Sequence, residues 1–197
     1  MLGKPAWPLV PEREGDMQGM GGTMGQIGAD RIVRQLDEAE GYLMLDMPRR
    51  ALEILRSRED WATMKFEASL LTGKALRALG KFREALAPLE VAASLRSGDL
   101  IVAMELGWCY KRTHRLAQAI DALERSVPEN TDEPLLHYNL ACYWSLAGNA
   151  ARSIQSLQRA LELNPELRDQ LASETDFDLI RNEPEFARVA SGATPMA

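Results

Sequence analysis

From Ala29 to Pro165 the apolar residues recur at three- and four-residue intervals, in long stretches parted by short polar breaks. That period predicts one amphipathic helix after another. Most prolines stand at the edges of these stretches, at Pro48, Pro128, Pro134, Pro165 and Pro184, where a missing amide hydrogen costs a helix least. Pro88 is different: it lies inside the apparent helix Phe82 to Leu95 and predicts a gentle bend or a solvent-facing position. Alternating apolar and polar residues, the mark of a half-buried strand, are not found. Residues 1–28 follow neither period. They hold Gly3, Gly15, Gly19, Gly21, Gly22, Gly25 and Gly28 beside Pro5, Pro8 and Pro11, a composition too poor in packable side chains to offset the entropy of ordering. A flexible arm is expected there, with Trp7, Leu9 and Val10 solvated rather than docked.

The helical part repeats itself. Arg50-Ala51-Leu52-Glu53-Ile54-Leu55, Glu84-Ala85-Leu86-Ala87-Pro88-Leu89, Gln118-Ala119-Ile120-Asp121-Ala122-Leu123 and Arg152-Ser153-Ile154-Gln155-Ser156-Leu157 align without a gap, each 34 residues after the last. The same step recovers a small column (Ala39, Gly73, Gly107, Ala141), a bulky column (Tyr42, Leu76, Tyr110, Trp144) and the leucines 55, 89, 123 and 157. A further column, Asp46, Gly80, His114 and Gly148, falls between the two helices of each unit. A helix ends there on a left-handed residue, which glycine supplies freely and which Asp and His tolerate better than most. Each unit is therefore a helix pair with small residues for close approach and large ones to fill the seam. Such pairs cannot hide their apolar stripes alone and need neighbours.

The 34-residue period, Leu106-Gly107-x-x-Tyr110 followed by Ala119 and Leu123, and the end signature Gly148, Ile154, Leu157, Ala160, Leu163, Asn164-Pro165 together resemble the tetratricopeptide repeat. The resemblance spans four units, 32–65, 66–99, 100–133 and 134–167, inside an array at 29–165. The pattern departs at Glu38 and Arg58 in the first unit, and at Ser97 and Thr131 where the family carries proline. It implies an all-α chain, an α-solenoid of antiparallel helix pairs. Residues 166–197 are expected to close the open apolar end as a capping helical segment and tail, with Phe177, Leu179, Ile180 and Phe186 packed inward. This segment is similar to the tail of many bacterial tetratricopeptide proteins. Asp176 and Asp178 read as helix N-terminal charges.

Composition narrows the chemistry. Hydrophobic residues make up 46% of 197, enough for a real core, and 23 Lys and Arg against 29 Asp and Glu leave a net charge of -6. That balance favours neither nucleic acid nor an anionic membrane as partner. No apolar run approaches the roughly 18 residues of a membrane span, and two prolines break the first eight residues where a secretory signal would be apolar, so a cytoplasmic location is expected. Cys109 and Cys142 are too few for a disulfide framework and lack metal-type CxxC spacing. Phosphate loops, nucleophile elbows and zinc-protease motifs are absent from the sequence, so neither catalysis nor a cofactor is expected. One alternative from another class is a metal or thiol enzyme built on Cys109, His137 and Cys142.

The resemblance further implies that the first helix of each unit lines a concave groove. Its lining would gather Lys74, Arg77, Lys111 and Arg112 at the centre, with Trp108, Tyr138 and Asn139 beside them. A basic cluster flanked by aromatic faces in an acidic protein suits an acidic peptide or helix of a partner protein, held by charge-assisted hydrogen bonds and apolar anchors. The plainer reading is that these cations are solvated or paired with Glu105 and Glu67. Glu40 and Asp37 stand where a chain-terminus clamp would need Asn or Lys, which disfavours that mode. Two further alternatives are a cytoplasmic chaperone for secreted substrates and self-association through the convex face or the free N-terminal edge.

Overall fold

A computed structural model describes residues 24–58 and 61–192. Residues 1–23, most of the expected arm, and residues 193–197, the end of the expected cap and tail at 166–197, lie outside the described residues. The described chain is all-α: α1 (Met24–Met44), α2 (Pro48–Arg56), α3 (Lys65–Ala78), α4 (Phe82–Leu95), α5 (Leu100–Arg112), α6 (Leu116–Glu124), α7 (Pro134–Leu146), α8 (Ala150–Leu163), the single turn α9 (Arg168–Leu171) and α10 (Pro184–Ser191). Short 3₁₀ turns sit between some of them, among them Thr175–Phe177. α4 runs unbroken through Pro88, which is partly exposed.

The turns inside the first four pairs are built identically. Asp46, Gly80, His114 and Gly148 adopt φ of 56°, 72°, 61° and 74°. At each, the next amide donates to the carbonyl five residues back, from Met47 to Tyr42 at 2.8 Å and from Lys81 to Leu76, Arg115 to Tyr110 and Asn149 to Trp144 at 2.9 Å. The left-handed amide itself donates three residues back, as from Gly148 to Ser145 at 2.8 Å. This pair of bonds satisfies helix-end carbonyls that would otherwise be orphaned and reverses the chain. The acceptors are the bulky column, so one set of residues both closes the turn and fills the seam.

Close approach depends on the small columns. A Cβ added to Gly73 would overlap the Leu89 side chain, and one added to Gly107 would come within 3.2 Å of the Tyr143 ring and 3.3 Å of Leu123 Cγ. Ala39, Ala51, Ala85, Ala119 and Ala141 are buried, and the buried Ser153 hydroxyl donates to the Ala141 carbonyl at 2.7 Å. The leucine column is buried throughout, and the core is one continuous body from Leu36 to Val189. Successive odd-numbered helices α1, α3, α5 and α7 pack on one another, whereas the even-numbered α2, α4, α6 and α8 do not form such a row. The row in mutual contact is the inner one, so the solenoid curves with the odd helices on its concave side.

Beyond α8 the chain folds back. The Thr175–Phe177 turn packs against α7, and α10 packs against α8. Phe177 is fully buried, its ring 5.7 Å from Tyr138 in an edge-on arrangement and 5.4 Å from Phe186. Arg181 stitches the return, donating to the carbonyls of Leu171 (3.0 Å) and Glu174 (2.7 Å) and pairing with Asp178 at 3.1 Å. Ile180 and Phe186 pack inward as the pattern predicts, but Leu179 is 69% exposed. In this short irregular turn adjacent residues point apart, so Leu179 faces water while Ile180 and Phe177 face the core.

Candidate functional site

The sequence-predicted binding residues lie on α3, α5 and α7, and most of them meet a different neighbour. Arg77 on α3 pairs with Glu105 on α5, a carboxylate only 1% exposed. Burial pushes the Glu105 carboxyl above its ordinary value, against the opposing pull of Arg77 and Lys74. Lys111 forms an ion pair with Asp176 of the C-terminal return, and its ammonium lies 5.8 Å from the Trp108 ring and 5.6 Å from that of Tyr143. Arg112 is exposed, with its guanidinium 5.0 Å from the Phe82 ring. Trp108 is half-buried. Asn139 donates to the Leu135 carbonyl at 2.8 Å and approaches the Met104 sulfur at 3.7 Å.

Tyr138 is set apart from Trp108 by its neighbour. At 5% exposure it is sealed beneath Phe177, and burial drives its phenol pKa upward, helped by Cys142, Glu174 and Asp176. Cys142, one turn further along α7, is buried at the same place, and desolvation raises its thiol well above the usual range. Cys109 is also buried, its thiol pushed up to about 12 chiefly by desolvation and then by Glu105. Both are poor nucleophiles as they stand.

His137 does not join the cysteines. Its Nε2 is 2.9 Å from the Thr131 carbonyl, and its ring lines a cleft on the outer side between α6 and α8, with Val127, Trp144 and Arg159. The group of Cys109, His137 and Cys142 therefore does not form a set of converging ligands. Among the described residues the convergence that does occur is Cys142 with Glu174 and Asp176. Sequence spacing gave no sign of it, because the two carboxylates arrive from a return segment that looked like a cap. Asp176 stands in the first turn of the 3₁₀ segment Thr175–Phe177, as its place in the sequence suggests, and it also pairs with Lys111 across the inner face of α7, while its amide donates to Glu174 Oε1 at 3.1 Å. Asp178 is taken by Arg181.

A Lys on α5 can reach Asp176 only if the return segment lies over the inner face of α7 rather than past its end. The segment Glu174-Thr175-Asp176-Phe177-Asp178 thus presents an acid to Lys111 of α5 and an aromatic ring to Tyr138 of α7. The inner face of α3 and α5, with Leu70, Lys74, Met104 and Trp108 partly exposed, has no such cover from the described chain. No helix among the described residues is long and apolar enough to cross a membrane.

No protein-family model matches this sequence, and no curated protein does. Solved structures do match in fold. A crystal structure of MamA superposes with a TM-score of 0.64 at 19% identity, over 74% of this chain and 86% of that one. MamA residues 41 to the end from Desulfovibrio magneticus RS-1 give 0.62 at 19% identity over 82% and 94%. MamA AMB-1 gives 0.64 at 18% identity over 83% and 99%. At such identities the likeness is one of fold, and the chain is an α-solenoid of helical hairpins like these.

Proposed function

We propose that this chain is a non-catalytic interaction module of the tetratricopeptide type, which holds an acidic, aromatic-bearing peptide or helix of a partner protein along its concave face. Lys74, Arg77, Lys111 and Arg112 supply the positive field, Trp108 the apolar anchor, and Asn139 a polar contact to the ligand backbone, while Tyr138, sealed under Phe177, anchors the chain's own return segment instead of a partner. The observation that carries this reading is the internal one: the chain's own Glu174-Thr175-Asp176-Phe177-Asp178 sits on that face with Asp176 on Lys111 and Phe177 on Tyr138. A groove that takes such a segment in cis has the chemistry to take a similar one in trans one unit further along, over Lys74, Met104 and Trp108. The left-handed turns at Asp46, Gly80, His114 and Gly148, spaced 34 residues apart, support the repeat type. The net charge of -6 argues against nucleic acid.

Selection from a displayed library of random peptides tests the proposal. Peptides combining carboxylates with an aromatic residue should be enriched, and their affinity should drop at least about tenfold, or about 1.4 kcal/mol, in the Lys74→Glu/Arg112→Glu variant. Unchanged affinity in that variant, or selection of basic peptides, would sink it.

A further inference from the structure

Where the C-terminal return crosses α7, three atoms with metal-ligating chemistry converge. Cys142 Sγ, a carboxylate oxygen of Glu174 and one of Asp176 all lie within 4.8 Å of one another, the thiol buried and the carboxylates partly exposed. A bound ion with bonds of about 2.0–2.3 Å wants ligand atoms about 3.5 Å apart, so closure needs a shift of about 1 Å in two flexible carboxylates. A second, independent feature faces the same point. Tyr138 is 5% exposed, its hydroxyl has no hydrogen-bond partner among the described residues, and it lies in the electrostatic field of Cys142, Glu174 and Asp176. Buried hydroxyls are rarely left unpaired, because the lost bond costs about 1–3 kcal/mol.

The charges are arranged to suit a cation. Lys111 neutralises one of the two carboxylates and holds Asp176 by one oxygen, which orients the other. Arg181, the other cation nearby, is committed to Asp178 and to the Leu171 and Glu174 carbonyls. One negative charge is therefore left over, and ionisation of the thiol on metal binding would bring it to two, the charge a divalent ion cancels.

We propose that Cys142, Glu174 and Asp176 bind one divalent transition-metal ion of the zinc class, which fastens the C-terminal return onto the inner face of α7. A thiolate ligand selects zinc-like ions over calcium and magnesium, which demand oxygen and more of it. Three protein ligands leave a fourth tetrahedral position for a water molecule. The proposal is independent of the peptide-binding reading, since the ion would sit under the return segment whether or not the groove holds a partner.

Titration of the reduced, metal-stripped full chain with Co²⁺ tests it. A thiolate-to-cobalt charge-transfer band in the near ultraviolet should saturate at a single equivalent and be displaced by Zn²⁺. Cys142→Ser should abolish the band and Cys109→Ser should keep it, while Glu174→Gln and Asp176→Asn should each weaken Co²⁺ binding about tenfold or more. Zn²⁺ should raise the Tm of the wild type and not that of Cys142→Ser. Absence of the band in the wild type, or its persistence in Cys142→Ser, would overturn the site. If Cys142→Ser fails to fold by circular dichroism, the two carboxylate variants decide: undiminished Co²⁺ affinity in both would overturn it equally.

Discussion

The inner faces of α5 and α7 carry the same register and different fates. Met104 and Trp108 on α5 are one repeat before Tyr138 and Cys142 on α7, yet the first pair is partly exposed and the second is sealed. The cause is the neighbour. Over α7 the return segment lays Phe177 and Asp176, while over α5 the described chain lays nothing. Charge differs in the same way. Between α3 and α5 lies a carboxylate, Glu105, buried beside Arg77 and Lys74, whereas further along α5 a lysine, Lys111, is met by an acid from outside the array. A repeat position thus fixes where a side chain points, and the element stacked next decides whether it becomes surface, core or ligand.

The contrast can be broken most strongly at Phe177. Phe177→Ala should cost about 3–5 kcal/mol, since it empties a fully buried aromatic site between Tyr138 and Phe186. Hydrogen exchange should show the amides of α7 and α8 losing protection while those of α3 and α4 keep theirs. A uniform loss along the array would mean that the two ends are one cooperative unit.

A smaller effect should separate the charged centres. The unfolded chain releases the Glu105 proton near 4.5 and the folded chain holds it to a higher pH, chiefly because the carboxylate is desolvated. Between those values the folded state binds more protons, so the Glu105 contribution to stability is greatest below 4.5 and declines as the pH rises through the raised value. Glu105→Gln should flatten that decline in urea midpoints measured from below 4.5 to neutrality. Parallel curves for the two proteins would show that Arg77 and Lys74 fully offset the desolvation.

The smallest effect lies in the turns. His114 holds φ 61° where Gly148 holds 74° with no Cβ to strain. Left-handed strain of about 1–2 kcal/mol, less about 0.5–1 kcal/mol for the extra freedom of glycine in the unfolded chain, gives His114→Gly a gain of about 0.5–1 kcal/mol. Gly148→Ala should lose a similar amount. Equal and opposite shifts in urea midpoint would establish that the two turns are interchangeable.

Much of this fold was legible because a repeat prints each requirement four times. The Asp46, Gly80, His114 and Gly148 column is chemically mixed, yet all four share the left-handed conformation, and the step of 34 exposes what no single turn would. The Gly73 and Gly107 column announced close packing, and Leu89, Leu123 and Tyr143 occupy the space their side chains would have used. The candidate site was legible only in part. Register puts Lys74, Arg77, Trp108, Lys111 and Arg112 on α3 and α5, but the partners of Arg77, Arg112 and Lys111, which are Glu105, Phe82 and Asp176, differ from residue to residue and obey no period. Leu179 defeated the pattern because its segment is an irregular return, not a helix with a constant buried face.

The sequence by itself determined the hairpins, their turns and which stripe of each helix is buried, because those depend on local periodicity and on steric rules that act within a few residues. Only the tertiary structure decided that residues 174–178 fold over α7, that Tyr138 becomes core while Trp108 stays at the surface, and that Cys142 meets Glu174 and Asp176 rather than His137. Those outcomes rest on contacts between segments far apart in the chain. There the gain comes from fitting shape and charge across the whole array, and no local pattern records it.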